Sequence, residues 1–582
     1  MNRQQRRALQ RQAATAGSTP APSAEHLLDE GVALQRQGRL EEAIRVYKRL
    51  LELRPGHADA CNNIGLIYVA QGKLKEARPW FVQVLERRPQ LLWDFASVGA
   101  LIELVNPTLA QGMQRAAQAW PQRLRAAELL APEGIAAAAS DPVLIHVLTS
   151  TTVRRIDLER LLTSLRLELL AAALAAKEND RPDDAALAFH CALARQCFLN
   201  EYIFALPTEE EQQVEQLRAK LIEALGEGAP IPPLWIAAAG AYFPLHALPH
   251  AQALLDRPSP APVTELLTQQ VREPWAELQL RASIPRLTPI ENATSLLVRQ
   301  QYEEHPYPRW VHAAAVLGPI TLDEHLREQF PAAAFTPLGK TDGIDILVAG
   351  CGTGRHPIEL AQKYRNARVL AVDLSLASLG YAKRKTPPAL AGQIEYAQAD
   401  ILELGSLGRS FDLVDASGVL HHLAEPLAGW RALLGLLRPG GFMRLGLYSE
   451  LARRAIVAAR AFIAEQGYEP TVEDIRRCRQ ELLVGSRFAA VAKAGDFFST
   501  SECRDLLFHV QESRMTIAQL KSFIDENGLR FLGFEFPPQA LAHYRKLFGS
   551  EAALRDLDRW HAFETGNPET FSGMYQFVVQ KP

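Results

Sequence analysis

Residues 346–356 read ILVAGCGTGRH. Three apolar residues, Ile346, Leu347 and Val348, run into Gly350, Gly352 and Gly354, spaced G-x-G-x-G. An apolar strand that stops at a glycine turn and opens a helix is a place where nucleotides sit, but glycine runs also punctuate ordinary turns. The dinucleotide fingerprint needs a third glycine where Arg355 stands, and a phosphate loop needs a Gly-Lys-Ser/Thr ending that does not follow. The spacing of what comes next has to decide the matter.

Residues 367–374, ARVLAVDL, read as a second buried strand ending at Asp373, which lies 19 residues after Gly354. An acid at the tip of a second strand can accept both hydroxyls of a ribose. IEYAQADI (394–401) alternates like a third strand and brings Asp400 and Ile401 to the same edge. These supply an acceptor for an adenine amine and an apolar wall for its ring. FDLVDASGVLHHL (411–423) and LRPGGFMRLGLYS (437–449) read as fourth and fifth strands with their turns. Strands alternating with helices at this pitch predict a parallel, doubly wound sheet, whose ligands bind beyond the carboxyl ends of the strands. Gly350–Gly354, Asp373, Asp400 and Ser417–His422 are expected to gather there.

The set GCGTG, Asp373, QADI, SGVLHHL and LRPGG resembles the class I S-adenosylmethionine-dependent methyltransferases (methyltransferase type 11/12-like), closest to the branch with the ubiquinone/menaquinone-type enzymes. The resemblance is strong over about 340–450. It implies an α/β Rossmann-like domain of seven strands, with RFLGFEF (530–536) as the sixth and GMYQFVVQ (573–580) as an antiparallel seventh between the fifth and sixth. It implies S-adenosyl-L-methionine as cofactor, held by Gly350, Cys351, Gly352, Thr353, Gly354, Asp373, Leu374, Asp400, Ile401 and Ser417. One position departs from the pattern: the family often has an acid two residues before the first glycine, and here that residue is Val348, with Asp345 further back. The loop suits such a ligand, because close backbone and a helix N-terminus can meet a carboxylate and an ammonium. Pro357 suits a first helical turn.

The whole chain sets bounds. At 582 residues it has room for three or four domains, and a net charge of −3 gives no basic field for nucleic acid. Six cysteines show no C-x-x-C pair and no ligand cluster, which indicates reduced thiols, a cytoplasmic protein and no metal site. No apolar run is long enough for a membrane span. The opening MNRQQRRALQRQ lacks the apolar core of a secretory signal and reads as a disordered basic tail over 1–23, with a transit peptide or a basic arm as the alternatives.

EHLLDEGVALQRQGRLEEAIRVYKRLLELRP (25–55) repeats as DACNNIGLIYVAQGKLKEARPWFVQVLERRP (59–89) at an offset of 34. Gly31 matches Gly65, Gly38 matches Gly72, Ala43 matches Ala77, Tyr47 matches Phe81 and Pro55 matches Pro89, and Gly99 carries the period into a third unit. This resembles the tetratricopeptide repeat, which implies a domain over 24–125 and a concave surface for a protein or peptide partner, or a packing module. Residues 126–290 read as a helical middle domain without chemistry; His190, Cys191 and Cys197 sit on one of its helices as core. The methyltransferase domain is expected over 291–582, with an insertion at 450–515. The stretch VRQQYEEHPYPRW (298–310) resembles one in uncharacterised bacterial proteins that join such repeats to a methyltransferase.

Two segments are candidates to cover the acceptor: the aromatic stretch 302–310 and the insertion, which ends in DFFSTSECRDLLFHVQESR (496–514). His509 and Tyr307, then His421 and His422, are the candidate catalytic residues, with Glu512 and Arg514 as further acceptor contacts. The leading expectation is a methyltransferase of unknown acceptor whose repeats recruit a partner or substrate. The rival is a non-catalytic repeat scaffold with a decayed cofactor domain.

Overall fold

The computed structural model describes residues 23–92, 106–130, 134–177, 180, 182–313, 319–536 and 538–582. The basic tail up to residue 22 and the third-unit Gly99 lie outside the described residues. The chain forms two compact units, one up to residue 105 and one from Asn106 onward.

The first unit is built from two helix pairs, Ala24–Arg36 with Leu40–Leu53 and Ala58–Ala70 with Leu74–Arg87. The repeat has a steric cause. A Cβ at Gly31 would meet the Tyr47 ring at 2.3 Å, and one at Gly65 would meet the Phe81 ring at 2.8 Å. In each pair a ring fills the notch that a glycine leaves, and both rings are fully buried.

The second unit begins twenty residues before the boundary expected at 125. Helix Pro107–Ala119 buries Leu109, Gly112, Met113 and Ala116 and packs on helix Ile156–Ala175. Its apolar stripe is of the kind that caps a repeat array equally well, so the sequence alone placed it on the wrong side. The helical part continues with Asp184–Leu199, Thr208–Glu227 and Pro233–Gly240. His190, Cys191 and Cys197 are buried in it.

The α/β part is one seven-stranded sheet: β1 Asp345–Ala349, β2 Arg368–Asp373, β3 Ile394–Gln398, β4 Phe411–Ser417, β5 Leu437–Leu447, β6 Arg530–Phe534 and β7 Tyr575–Gln580. The order is β3-β2-β1-β4-β5-β7-β6. The first five run parallel, and β7 lies antiparallel between β5 and β6. Both faces are covered, as the unbroken apolar runs require: Leu347 and Ala349 of β1 enter one core, Ile346 and Val348 the other. Between β5 and the helix Ile517–Glu526 that leads to β6, the insertion folds as helices Arg454–Gln466, Val472–Leu482, Ala489–Ala492 and Thr500–Phe508.

Candidate active site

The parallel strands all end at one edge, and the chain leaving each of them enters one cavity of about 340 Å³. Its wall includes Gly350, Cys351, Gly352 and Thr353 after β1, Asp373 and Leu374 after β2, Asp400 and Ile401 after β3, Ser417 and His422 after β4, and Tyr448 after β5. Of the ten residues expected to hold the cofactor, only Gly354 is missing from the wall. It caps helix Arg355–Lys363 in a left-handed conformation instead.

β1 turns where Gly350 and Cys351 both donate to the Val372 carbonyl at 2.9 Å. Gly350 and Gly352 have φ of +73° and +51°, so side chains would be strained there. They would also collide: a Cβ at Gly350 would lie 2.4 Å from Val419, and one at Gly352 would lie 2.8 Å from the Tyr307 carbonyl oxygen. The aromatic stretch is therefore seated on the glycine turn. The Thr353 hydroxyl donates to the Pro308 carbonyl, and the Trp310 indole donates to Thr353 Oγ1 at 3.1 Å.

Asp373 accepts from Gly352 N–H on one oxygen at 2.8 Å and from Ser375 N–H on the other at 2.9 Å. Burial pushes its carboxyl up to about 6, against the pull of those backbone donors. Asp400 Oδ1 accepts from Leu402 N–H at 3.0 Å. Each carboxylate lines the cavity and keeps accepting capacity beyond these bonds. Val348 is buried in the core, and its register partner on β4 is an acid, Asp415. Asp415 pairs with His356 at 2.8 Å and Arg444 at 3.3 Å. Burial disfavours the His356 cation, but Asp415 outweighs it and raises the imidazole to about 9.

The other half of the cavity is lined by Tyr302, Tyr307, His422, Tyr448 and Asp505. Of the four expected catalytic residues, Tyr307 and His422 reach the wall; His421 and His509 do not and stand behind it. His421 stacks on Tyr448 with ring centres 3.7 Å apart. His509 stacks on His422 at 3.7 Å. Glu512 is also turned away, buried against Arg453 at 2.5 Å, and Arg514 follows it at 3.5 Å. The reason is local: helix Thr500–Phe508 ends before His509, and the residues after it run past the tips of β4 and β5, where Ser513 N–H donates to the His421 carbonyl at 2.7 Å and Met515 N–H to the Tyr448 carbonyl at 2.9 Å.

Asp505, on that helix, is the polar group that sequence reading missed. It is 4% exposed and lines the cavity. Its Oδ1 accepts from the Tyr302 hydroxyl at 2.6 Å, and Tyr302 in turn lies 3.2 Å from His509 Nε2. Burial raises the Asp505 carboxyl to about 7, with Tyr302 pulling the other way. Burial holds His422 down at about 4, so it is neutral, and its Nδ1–H donates to the Gln511 carbonyl at 2.9 Å. Among the described residues, His422, Asp505 and His509 form the one cluster with metal-ligand spacing. The two rings lie nearly parallel, 18° apart, face to face. An imidazole lone pair lies in the ring plane, and two stacked planes share no nearby point for an ion. The cluster is a hydrogen-bonded wall as it stands.

A methyltransferase domain model matches residues 346–441, and a tetratricopeptide-repeat model matches residues 28–91. An uncharacterised protein of Synechococcus sp. is 31% identical over 232 residues, 38% of this chain and 55% of that one. The ubiquinone biosynthesis O-methyltransferase of Leptothrix cholodnii is 29% identical over 123 residues, 21% of this chain and 51% of the enzyme. The trans-aconitate 2-methyltransferase of Azoarcus sp. is 31% identical over 135 residues, 23% and 50% of the two chains. The chain spans about half the length of these curated relatives. Among solved structures, PKMT2 from Rickettsia typhi in complex with AdoHcy aligns with a TM-score of 0.34 at 16% identity, covering 45% of this chain and 54% of that one. Among the described residues no helix is long and apolar enough to cross a membrane.

Proposed function

We propose that this chain, a methyltransferase domain joined to tetratricopeptide repeats, transfers a methyl group from S-adenosylmethionine to an acceptor that arrives carrying a proton. The observation behind the reading is that the glycine turn, Asp373, Asp400 and Asp505 all line one cavity. The residues present fit the cofactor. The glycine turn brings backbone to the cavity wall, Asp373 and Asp400 would accept from a ribose diol and an adenine amine, and Leu374 and Ile401 would give the adenine an apolar wall. When bound, the sulfonium supplies an electrophilic methyl group and leaves as a neutral thioether. The chain's own contribution is position, which can be worth roughly 7–11 kcal/mol, and removal of a proton. Asp505 takes that proton on a carboxylate oxygen, and Tyr302 holds the carboxylate in place. Tyr307, Tyr448 and His422 wall off water. Arg355 and His356, the cations at the cavity, are paired with Glu359 and Asp415. Among the described residues the wall thus offers no unpaired cation, which fits a neutral or cationic acceptor better than a polyanion.

Calorimetric titration is expected to show binding of S-adenosylhomocysteine and none of NAD; NAD binding would end this reading. Asp373→Ala should weaken S-adenosylhomocysteine binding by about 1–3 kcal/mol, since ribose donors are left unpaired. Asp345→Ala should leave it unchanged, because Asp345 lies at the far end of β1, paired with Arg368 and Arg438. With Asp373 pushed up to about 6, affinity should also fall as the pH drops through that value.

The repeats supply a surface for a protein or peptide partner and are separate from the cofactor site. A chain begun at Asn106 is expected to keep its circular dichroism and its affinity for S-adenosylhomocysteine; a folded but non-binding product would refute the division. The six cysteines, all free and buried, fit a reducing, cytoplasmic setting. A non-catalytic scaffold is the second reading, favoured by Val348 where the family often has an acid. Failure of the unaltered chain to bind S-adenosylhomocysteine would select it.

A further inference from the structure

The two segments that cover the cavity are fastened to the helical part of the same unit, and one side chain fastens both. Glu201 follows helix Asp184–Leu199. Its Oε1 accepts from Arg309 Nε at 3.0 Å, at the end of the aromatic stretch. Its Oε2 accepts from Ser501 N–H at 2.7 Å, in the first turn of helix Thr500–Phe508, which carries Asp505. The backbone joins in: the Thr500 hydroxyl donates to the Glu201 carbonyl at 2.8 Å, and Thr500 N–H to the Asn200 carbonyl at 3.2 Å. Glu201 and Tyr202 hold φ of +53° and +60°, a left-handed conformation that two consecutive non-glycine residues rarely adopt. Strain of this kind persists where its surroundings over-determine it, and it clusters at clamps and switches. The surroundings here include Arg476 of the insertion, whose Nε donates to the Tyr202 carbonyl at 2.6 Å.

We propose that Glu201 is a positioning residue, a latch through which the helical part holds the aromatic stretch and the insertion helix together over the cavity. This gives the helical domain a task that its own sequence does not announce. The proposal rests on the reading of the cavity as the site of a nucleoside cofactor and an acceptor. A cover that excludes water must also lift to let ligands pass, and a carboxylate that holds a partner on each segment couples the loosening of one to that of the other.

Hydrogen exchange of the full-length chain, read by mass spectrometry, tests it. In Glu201→Ala, exchange without ligand is expected to rise about tenfold in 302–310 and in 500–508 while the strands keep their protection, as local opening in a folded protein does. The dissociation rate of S-adenosylhomocysteine should rise by a similar factor. A purely structural role would instead raise exchange evenly over helices Ile156–Ala175 and Asp184–Leu199; that result, or no change in either segment, overturns the latch. If Glu201→Ala does not fold, Glu201→Gln serves: its one accepting oxygen can keep only one partner, so one segment should loosen and the other hold. Neither loosening overturns the proposal. Complete lack of S-adenosylhomocysteine binding by the unaltered chain would instead count against the cofactor reading, since the exchange of the free protein reports the latch by itself.

Discussion

Glu159→Ala is expected to cost the unit from Asn106 onward about 3–5 kcal/mol of stability, the usual penalty for breaking a buried ion pair by removing one partner. Glu159, on helix Ile156–Ala175, takes two hydrogen bonds from Arg479 of the insertion helix Val472–Leu482, both at 2.6 Å. Arg479 is 1% exposed and Glu159 4%. Removing the carboxylate leaves a buried guanidinium with neutral partners, the Phe497 carbonyl at 2.7 Å and the Cys503 thiol, and no counter-charge in its place. The penalty comes from the orphaned charge more than from the lost attraction. Replacing both partners, Glu159→Met with Arg479→Met, should therefore recover most of the loss. Urea denaturation followed by circular dichroism measures both. A cost under about 1 kcal/mol for the single change would place the pair among weak surface contacts and contradict its burial.

The second large effect concerns Asp505. Asp505→Asn should lower methyl transfer, followed as release of S-adenosylhomocysteine, by about 10²–10³-fold, within the usual reach of general base catalysis. The amide oxygen can still accept from Tyr302, so the wall should keep its shape and S-adenosylhomocysteine affinity should stay within about threefold, under ~0.7 kcal/mol. The sign with pH follows from the role. A base works only after losing its own proton, so transfer should rise as the pH climbs through about 7. The groups acting on Asp505 are Tyr302, Asp496, Arg453 and Glu512, with His509 on the far side of Tyr302. Asp505 can also be watched without any acceptor: burial raises both Asp505 and Glu502 to about 7, so the infrared absorption of protonated carboxyls that titrates near pH 7 should lose one component in Asp505→Asn and keep the one from Glu502. A rate unchanged by the substitution, or a band that titrates near pH 4, would remove Asp505 from the reaction.

What could be read from the sequence was what the chain keeps local. A glycine turn directly after an apolar strand, and acids directly after the next two, occupy fixed offsets in the strand–helix alternation. Gly350, Gly352, Asp373 and Asp400 were therefore legible, and so was the place of the seventh strand once the family resemblance was seen. Asp505 and Glu201 reach their places through an insertion and a separate helical segment, whose return path has no periodic signature. Asp505 lies on helix Thr500–Phe508, and His509 follows four residues later, just past the end of that helix. The sequence drew attention to the histidine, because a lone imidazole stands out, but only the rotation of that helix decides which side chain meets the cavity. The boundary at 105 was illegible for a similar reason: the stripe on Pro107–Ala119 shows that the helix is half-buried, not what it is buried against.

The order of the strands has a consequence for synthesis. β7 pairs with β5 on one side and β6 on the other, yet it is made after both. Until residue 580 has left the ribosome, β5 and β6 each present an unpaired edge to the cell, with Phe442, Leu445 and Phe531 beside it. Unpaired edges of apolar strands invite pairing with other chains. A nascent chain stalled before residue 575 is thus a natural client for chaperones, and the sheet is completed only when the strand between β5 and β6 slides in.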